Sequence, residues 1–224
     1  MSYPKDVMNP RISELLIGRP ENHALAGEAE WITAIFRKPA NGAVFRTRTG
    51  FEGDRVANPR FHGGPEKAAL CYSVWHYAKW RKELSLPMEP GGFGENLCIE
   101  GQDETDVCIG DVYRMGEAEV QVSQPRGPCA TLARRWAMPN LVKMVRENHR
   151  SGWYIRVLRE GKITAGEEVE LVARPQPKWT VARAAHVNYS RDRELADLRE
   201  LSELPELSKD WKADLRKKLQ AAAR

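Results

Sequence analysis

Apolar and polar positions alternate along much of the first three-quarters of the chain. Ala118, Val120 and Val122 point one way and Glu119 and Gln121 the other; Val169, Leu171 and Ala173 repeat the period of two. Ile12–Ile17, Trp31–Phe36 and Val44–Thr49 are rich in branched or aromatic residues and are separated by Gly, Pro and Asn, which predicts short strands. Trp153–Leu158 is apolar on both faces apart from Arg156, the pattern of a central strand buried on both sides. Helical periodicity interrupts twice: from a Ser73 cap to Leu84, with Pro87 beyond, and over Asn140–Glu147, with Pro139 in the first turn.

Near Arg174-Pro175-Gln176-Pro177 the character changes. Three helices are predicted beyond it: Val181–Asn188, Asp192–Leu201 and Lys209–Ala223, with Thr180, Asp192 and Ser208 near their starts. Leu195, Leu198 and Leu201 form one stripe, and Trp211, Leu215 and Leu219 another. The pattern predicts a mainly β fold. A closed or half-closed barrel with interspersed helices fills residues 1–172, and a small, separable α-helical extension fills 173–224.

Charge sharpens this division. Of the net +4, all falls after residue 172, where 12 Lys+Arg stand against 8 Asp+Glu. Neither a dense basic stripe nor a nucleic-acid motif accompanies it, so solvated helix faces are expected and nucleic-acid binding is not. No apolar run reaches the ~20 residues of a membrane helix, and residues 1–18 show no secretory apolar region. Four cysteines without CxxC spacing exclude a disulfide scaffold or zinc ribbon and fit a reducing, cytoplasmic compartment.

Candidate chemistry gathers in a few segments. In Val120–Leu132 (V-Q-V-S-Q-P-R-G-P-C-A-T-L) an alternating strand runs into two prolines that bracket a glycine and deliver Cys129. Arg126, Arg134 and Arg135 stand near enough in sequence to favour its thiolate, the form that ligates soft metals and attacks electrophiles. A small apolar core position is the plainer reading of the residue taken alone. Cys71, Cys98 and Cys108 sit among apolar neighbours and read as core thiols. His62-Gly63-Gly64-Pro65, followed by Lys67, suits an anion-cradling turn or a simple loop. Glu95 and Asn96, after Gly92-Phe93-Gly94, stand at a strand mouth and suit a heterocycle edge or an Asx turn. Arg156, if buried, requires a structural carboxylate or a bound phosphate as partner.

Taken in order, six of these segments resemble the MOSC family, in its YiiM-like branch. They are F-E-G-D (51–54), H-G-G-P-E-K-A (62–68), F-G-E-N-L (93–97), G-D-V-Y-R-M-G (110–116), V-S-Q-P-R-G-P-C (122–129) and G-W-Y-I-R-V-L (152–158). The helical tail resembles that branch's three-helix extension. The resemblance implies a β-barrel-like domain that binds the molybdenum cofactor, with Cys129 matching the cysteine that ligates the metal. It further implies reduction of small N-hydroxylated substrates, hydroxylaminopurines and amidoximes, and hence detoxification of N-hydroxylated bases. Arg126, Lys67 and Arg156 then become candidates for the cofactor phosphate, and His62, Asn96 and Glu95 for the pterin or the metal's surroundings. No flavin, haem or iron–sulfur motif is visible, so electrons are expected from a separate reductase, a flavoprotein. The separate N-terminal β-barrel half of the mitochondrial relatives has no counterpart here, so phosphate contacts are expected from the MOSC domain, the helical tail or a homodimer partner. Two other functions fit the same residues: a non-catalytic carrier of molybdenum cofactor or sulfur, and a metal-free hydrolase pairing Cys129 with His62.

Overall fold

In a computed structural model the described residues are 9–24 and 29–222. The reading of a missing N-terminal leader rests partly on residues 1–8, outside them. Thirteen strands and six α-helices make up this part of the chain. The strands of the first half are β1 (Arg11–Ile17), β2 (Glu21–His23), β3 (Trp31–Thr33), β4 (Lys38–Pro39), β5 (Val44–Thr47), β6 (Gly50–Phe51) and β7 (Ala69–Ser73). Helix α1 (Trp75–Leu84) leads to β8 (Leu97–Glu100), β9 (Val112–Met115) and β10 (Ala118–Pro125). Then follow α2 (Ala130–Arg135), α3 (Leu141–Asn148), β11 (Trp153–Arg159), β12 (Gly161–Ile163) and β13 (Val169–Ala173). The tail holds α4 (Val181–Tyr189), α5 (Leu195–Glu203) and α6 (Lys209–Ala222).

Eight strands form one mixed sheet in the order β13-β9-β10-β11-β7-β8-β1-β4. All pairs are antiparallel except β7–β8, which the crossover through α1 makes parallel. Of the closed or half-closed barrel expected, the closed form is not made. The sheet curls until the start of β1 meets the start of β13 without a continuous ladder: Arg11 bridges Glu168, Ile12 N–H donates to Glu167 O at 2.9 Å, Gly166 N–H to Ile12 O at 2.6 Å and Val169 N–H to Pro10 O at 2.7 Å. With six helices packed around this sheet the fold is mixed rather than mainly β. β11 lies between β10 and β7, centrally as expected, but only its Trp153, Ile155 and Val157 face is buried; Tyr154 and Arg156 are half-buried and Leu158 is exposed.

Several helix starts differ from expectation, for local reasons. Ser73 remains in the β7–β8 ladder, paired with Ile99, so α1 begins two residues later without a side-chain cap. α5 begins at Leu195 with Glu194 rather than Asp192 before it, which leaves Leu195 half exposed while Leu198 and Leu201 are fully buried. Thr180 caps α4 by accepting from the Arg183 amide at 3.1 Å, and the Ser208 hydroxyl accepts from the Trp211 amide at 3.3 Å. α6 is described to Ala222; Ala223 lies outside. No helix among the described residues is long and apolar enough to cross a membrane.

The tail starts after the proline break, but its apolar face does not stand apart. Trp179, Val181, Val187, Leu198, Leu201, Trp211 and Leu215 join the same buried cluster as Val120, Val122, Ile155 and Ile109. A second cluster, built on Tyr72, Tyr77, Trp80, Phe93, Leu132 and Val145, packs α1, α2 and α3. The tail also grips the strand that leads to Cys129. Ser208 N–H donates to Ser123 O at 2.9 Å, and the Ser208 hydroxyl donates to Gln124 Oε1 at 2.7 Å.

Candidate functional site

Three loops meet over a cleft of about 1000 Å³. They are the segment from Glu52 to Gly64, the turn before β8, and the loop between β10 and α2 that carries Cys129. Gly63 and Gly64 have φ of +76° and +84°, which only glycine adopts at low cost, so the His62 loop turns back toward the cysteine. Cys129 precedes the first turn of α2 in extended conformation, and its half-buried thiol lines the cleft.

Across 67 residues of sequence, the fold brings His62 to the Cys129 thiol on the lining of the same cleft. Burial opposes ionisation there. The hydrogen bond from His62, the Arg126 charge and the Leu132 amide outweigh it and lower the thiol from 9.0 to about 6. The other three cysteines behave as read from their neighbours. Burial first, then adjacent carboxylates, push Cys98 and Cys108 up, and burial pushes Cys71 up to about 12.

Arg126 is 3% exposed, yet it lines the cleft. Its Nη2 donates to Phe93 O at 3.3 Å, while Nη1 has no partner among the described residues. A buried guanidinium with an unmet donor at a cleft wall is set to bind an anionic or carbonyl oxygen. Lys67 also lines the cleft, but its Nζ already pairs with Asp210 at 2.7 Å and donates to Phe61 O at 3.2 Å. Asn96 reaches the lining with its hydrogen bonds spent on the Leu16 carbonyl, Asp54 and the Leu70 amide.

Two candidates lie elsewhere. Glu95 is fully buried behind the cleft and accepts from the amides of Gly91 and Phe93, the Tyr77 hydroxyl and the Cys98 thiol. It organises the turn that presents Phe93 and Gly94. Arg156 is absent from the lining. It pairs with Glu66 at 3.1 Å and donates to Gln121 and to the Glu206 carbonyl of the tail, so its partner is a structural carboxylate.

Sequence reasoning passed over Arg37 and gave Asp54 no role. Both line the cleft and form a two-pronged ion pair at 2.8 and 3.0 Å, with side chains 9% and 8% exposed. Asp54 also accepts from Gly18 and Asn96, and Arg37 donates to Gly94 O at 2.6 Å. The pair therefore ties β1 and the glycine-rich turn to the F-E-G-D segment. Among the described residues no three metal-ligating side chains converge. Cys129 thus stands as a lone soft donor, suited to a metal that brings its other ligands in an organic cofactor. With the unsatisfied Arg126, this donor set fits an anionic, metal-bearing group.

Comparison with known proteins agrees with the sequence motifs. The MOSC domain model matches residues 58–170, and the YiiM-like three-α-helix domain model matches residues 179–222. The uncharacterised protein YflK of Bacillus subtilis is 39% identical over 207 residues, covering 92% of this chain and 93% of its own. A Gibberella moniliformis protein named "Reductase" is 39% identical over 194 residues; the match takes in 84% of this chain but 34% of that protein. The crystal structure of YiiM from Geobacillus stearothermophilus superposes with a TM-score of 0.78 at 31% identity, covering 94% of this chain and 99% of that one. On these matches the chain belongs to the MOSC-domain family, in the branch that carries the YiiM-like three-helix domain.

Proposed function

We propose that this protein is a molybdenum-cofactor-dependent oxidoreductase that reduces small N-hydroxylated compounds of the hydroxylaminopurine or amidoxime type. The observation that carries the reading is that Cys129, His62 and Arg126 line one wall of a large cleft, where the two basic side chains favour the thiolate. The relative named a reductase supports the reaction class, and membership of the MOSC family supports the cofactor.

In this reading Cys129 is the protein ligand to the metal. Arg126 offers its free Nη1 to an oxygen of the cofactor, and the glycine turn at Gly63-Gly64 lets backbone approach it closely. The Arg37–Asp54 pair keeps the floor rigid. The bound cofactor supplies the two-electron chemistry. Overall, R–NHOH takes up two electrons and two protons and yields R–NH2 and water. The electrons come from a separate flavoprotein reductase, and four unpaired cysteines are consistent with a reducing, cytoplasmic setting for the reaction.

The test is protein purified from a host that makes the cofactor. Stoichiometric molybdenum in the wild type, its loss in Cys129→Ser, and reduction of a hydroxylaminopurine with a chemical reductant are expected. Tight molybdenum binding without turnover would make the protein a carrier. The His62–Cys129 contact also favours a metal-free thiol hydrolase; ester hydrolysis by protein devoid of molybdenum would select that reading.

A further inference from the structure

Glu104 is a carboxylate in the turn after β8, 2% exposed and outside the cleft lining. Its Oε2 meets His76 Nε2 at 2.5 Å, and its Oε1 accepts from the Gly152 amide at 2.6 Å. Its backbone carbonyl accepts from the Ala182 amide in the first turn of α4 at 2.8 Å. His76 is equally buried. Placing a carboxylate and an imidazole in the core carries a large desolvation cost, which a single ion-pair contact does not by itself repay. Stability alone therefore does not account for them.

What they hold is next to the cysteine loop. Gly152 has φ of +77°, and a Cβ on it would lie 2.4 Å from Cys71 O, so no other residue fits. Its carbonyl accepts from the Arg126 amide at 2.9 Å, beside the Pro125–Trp153 pairing of β10 and β11. A glycine is the freest hinge in a chain. Rotation at Gly152 would swing this carbonyl off Arg126 and release the loop that presents Arg126 and Cys129. The bond from the Gly152 amide to Glu104 removes that rotation, and His76 fixes the carboxylate that receives it.

We propose that His76 and Glu104 are positioning residues for the cysteine loop, acting through Gly152 on Arg126. Through Ala182 the same carboxylate residue ties the loop to the docking of the tail. From the proposed function this takes only that Cys129 is the working thiol.

The experiment compares hydrogen exchange by mass spectrometry, and alkylation of Cys129 by iodoacetamide, in full-length wild type, Glu104→Ala, Glu104→Gln and His76→Leu. In Glu104→Ala, exchange in the peptide spanning residues 124–132 rises about tenfold or more, while the β1 peptide is unchanged. The Cys129 alkylation rate changes with it. Glu104→Gln keeps an acceptor for Gly152 and retains wild-type protection. Should Glu104→Ala fail to fold, His76→Leu, which leaves the carboxylate unpinned, shows the same local loss. Exchange that rises equally in β1 and in 124–132, or rises in neither, overturns the proposal. Both readouts work on cofactor-free protein, so a negative result leaves the redox reading standing, and failure of that reading leaves this result interpretable.

Discussion

Replacing His62 by alanine removes the hydrogen bond that keeps Cys129 ionised. Relative to an ordinary thiol at 9.0, Cys129 sits at about 6 despite a burial that pushes the other way. A thousandfold change in the ionisation constant corresponds to about 4 kcal/mol between the thiol and thiolate forms. At pH 7.0 roughly nine-tenths of the wild-type thiol is thiolate, against about one per cent at the ordinary value. The folded state favours the charged form. Its contribution to stability is therefore complete above pH 9, falls to about 1 kcal/mol at pH 7, and vanishes as the pH drops through 6. The assay is iodoacetamide alkylation of cofactor-free protein from pH 5 to 9, read by intact mass. The wild-type midpoint should fall near 6, and His62→Ala should raise it and slow alkylation at pH 6 by about tenfold or more. A wild-type midpoint at the ordinary value, or an unchanged midpoint in His62→Ala, would refute the electrostatic account of the site.

Gly152→Ala should cost about 3 kcal/mol through strain at positive φ and the collision with Cys71 O, a fall of about 6 to 12 °C in Tm by scanning calorimetry. Arg156→Ala should leave the molybdenum content of the loaded protein at the wild-type level while lowering stability by about 1–2 kcal/mol in urea titration, because its bonds go to Glu66, Gln121 and the tail. A chain ending at Arg174 should lose its cooperative thermal transition, since the tail supplies Trp179, Leu198, Leu201, Trp211 and Leu215 to the main core; a sharp transition and native near-UV dichroism would show that the strands stand alone.

β10 alternates because one face is committed to the core, and β1 and β11 were readable from their branched and aromatic residues; β13 shows the same period of two, yet only Val169 of it is buried. β2, β4, β6 and β12, of two or three residues, are too short to show a period, and they exist because neighbouring strands pair with them. Helix α2 was missed for the same reason: six residues with Leu132 as the only fully buried one show no stripe. The failure of the barrel to close depends on how β1 meets β13, some 150 residues apart, which local pattern does not encode. At the site, the prolines around Arg126 made Cys129 visible, whereas the reach of His62 is purely a product of folding. Arg37 and Asp54 look in sequence like ordinary surface charges, and only their mutual burial reveals them. Arg156 did need a partner, but an arginine in an apolar strand does not say whether it is a protein carboxylate or a ligand.

The tail's grip on the cysteine strand has a consequence for how the protein matures. Ser208 reaches Gln124 across 84 residues, and the Lys209 amide reaches Glu66, just past the His62 turn, across 143. During synthesis both cleft loops thus emerge long before the residues that brace them. Contacts of such separation form late, because the entropy of closing the intervening chain must be met first. From its own synthesis until Ser208 emerges 79 residues later, Cys129 is an unbraced thiol on a nascent chain, and the braced cleft comes into being only with α6. If the proposed function holds, cofactor can therefore enter the braced cleft only after α6 has been made.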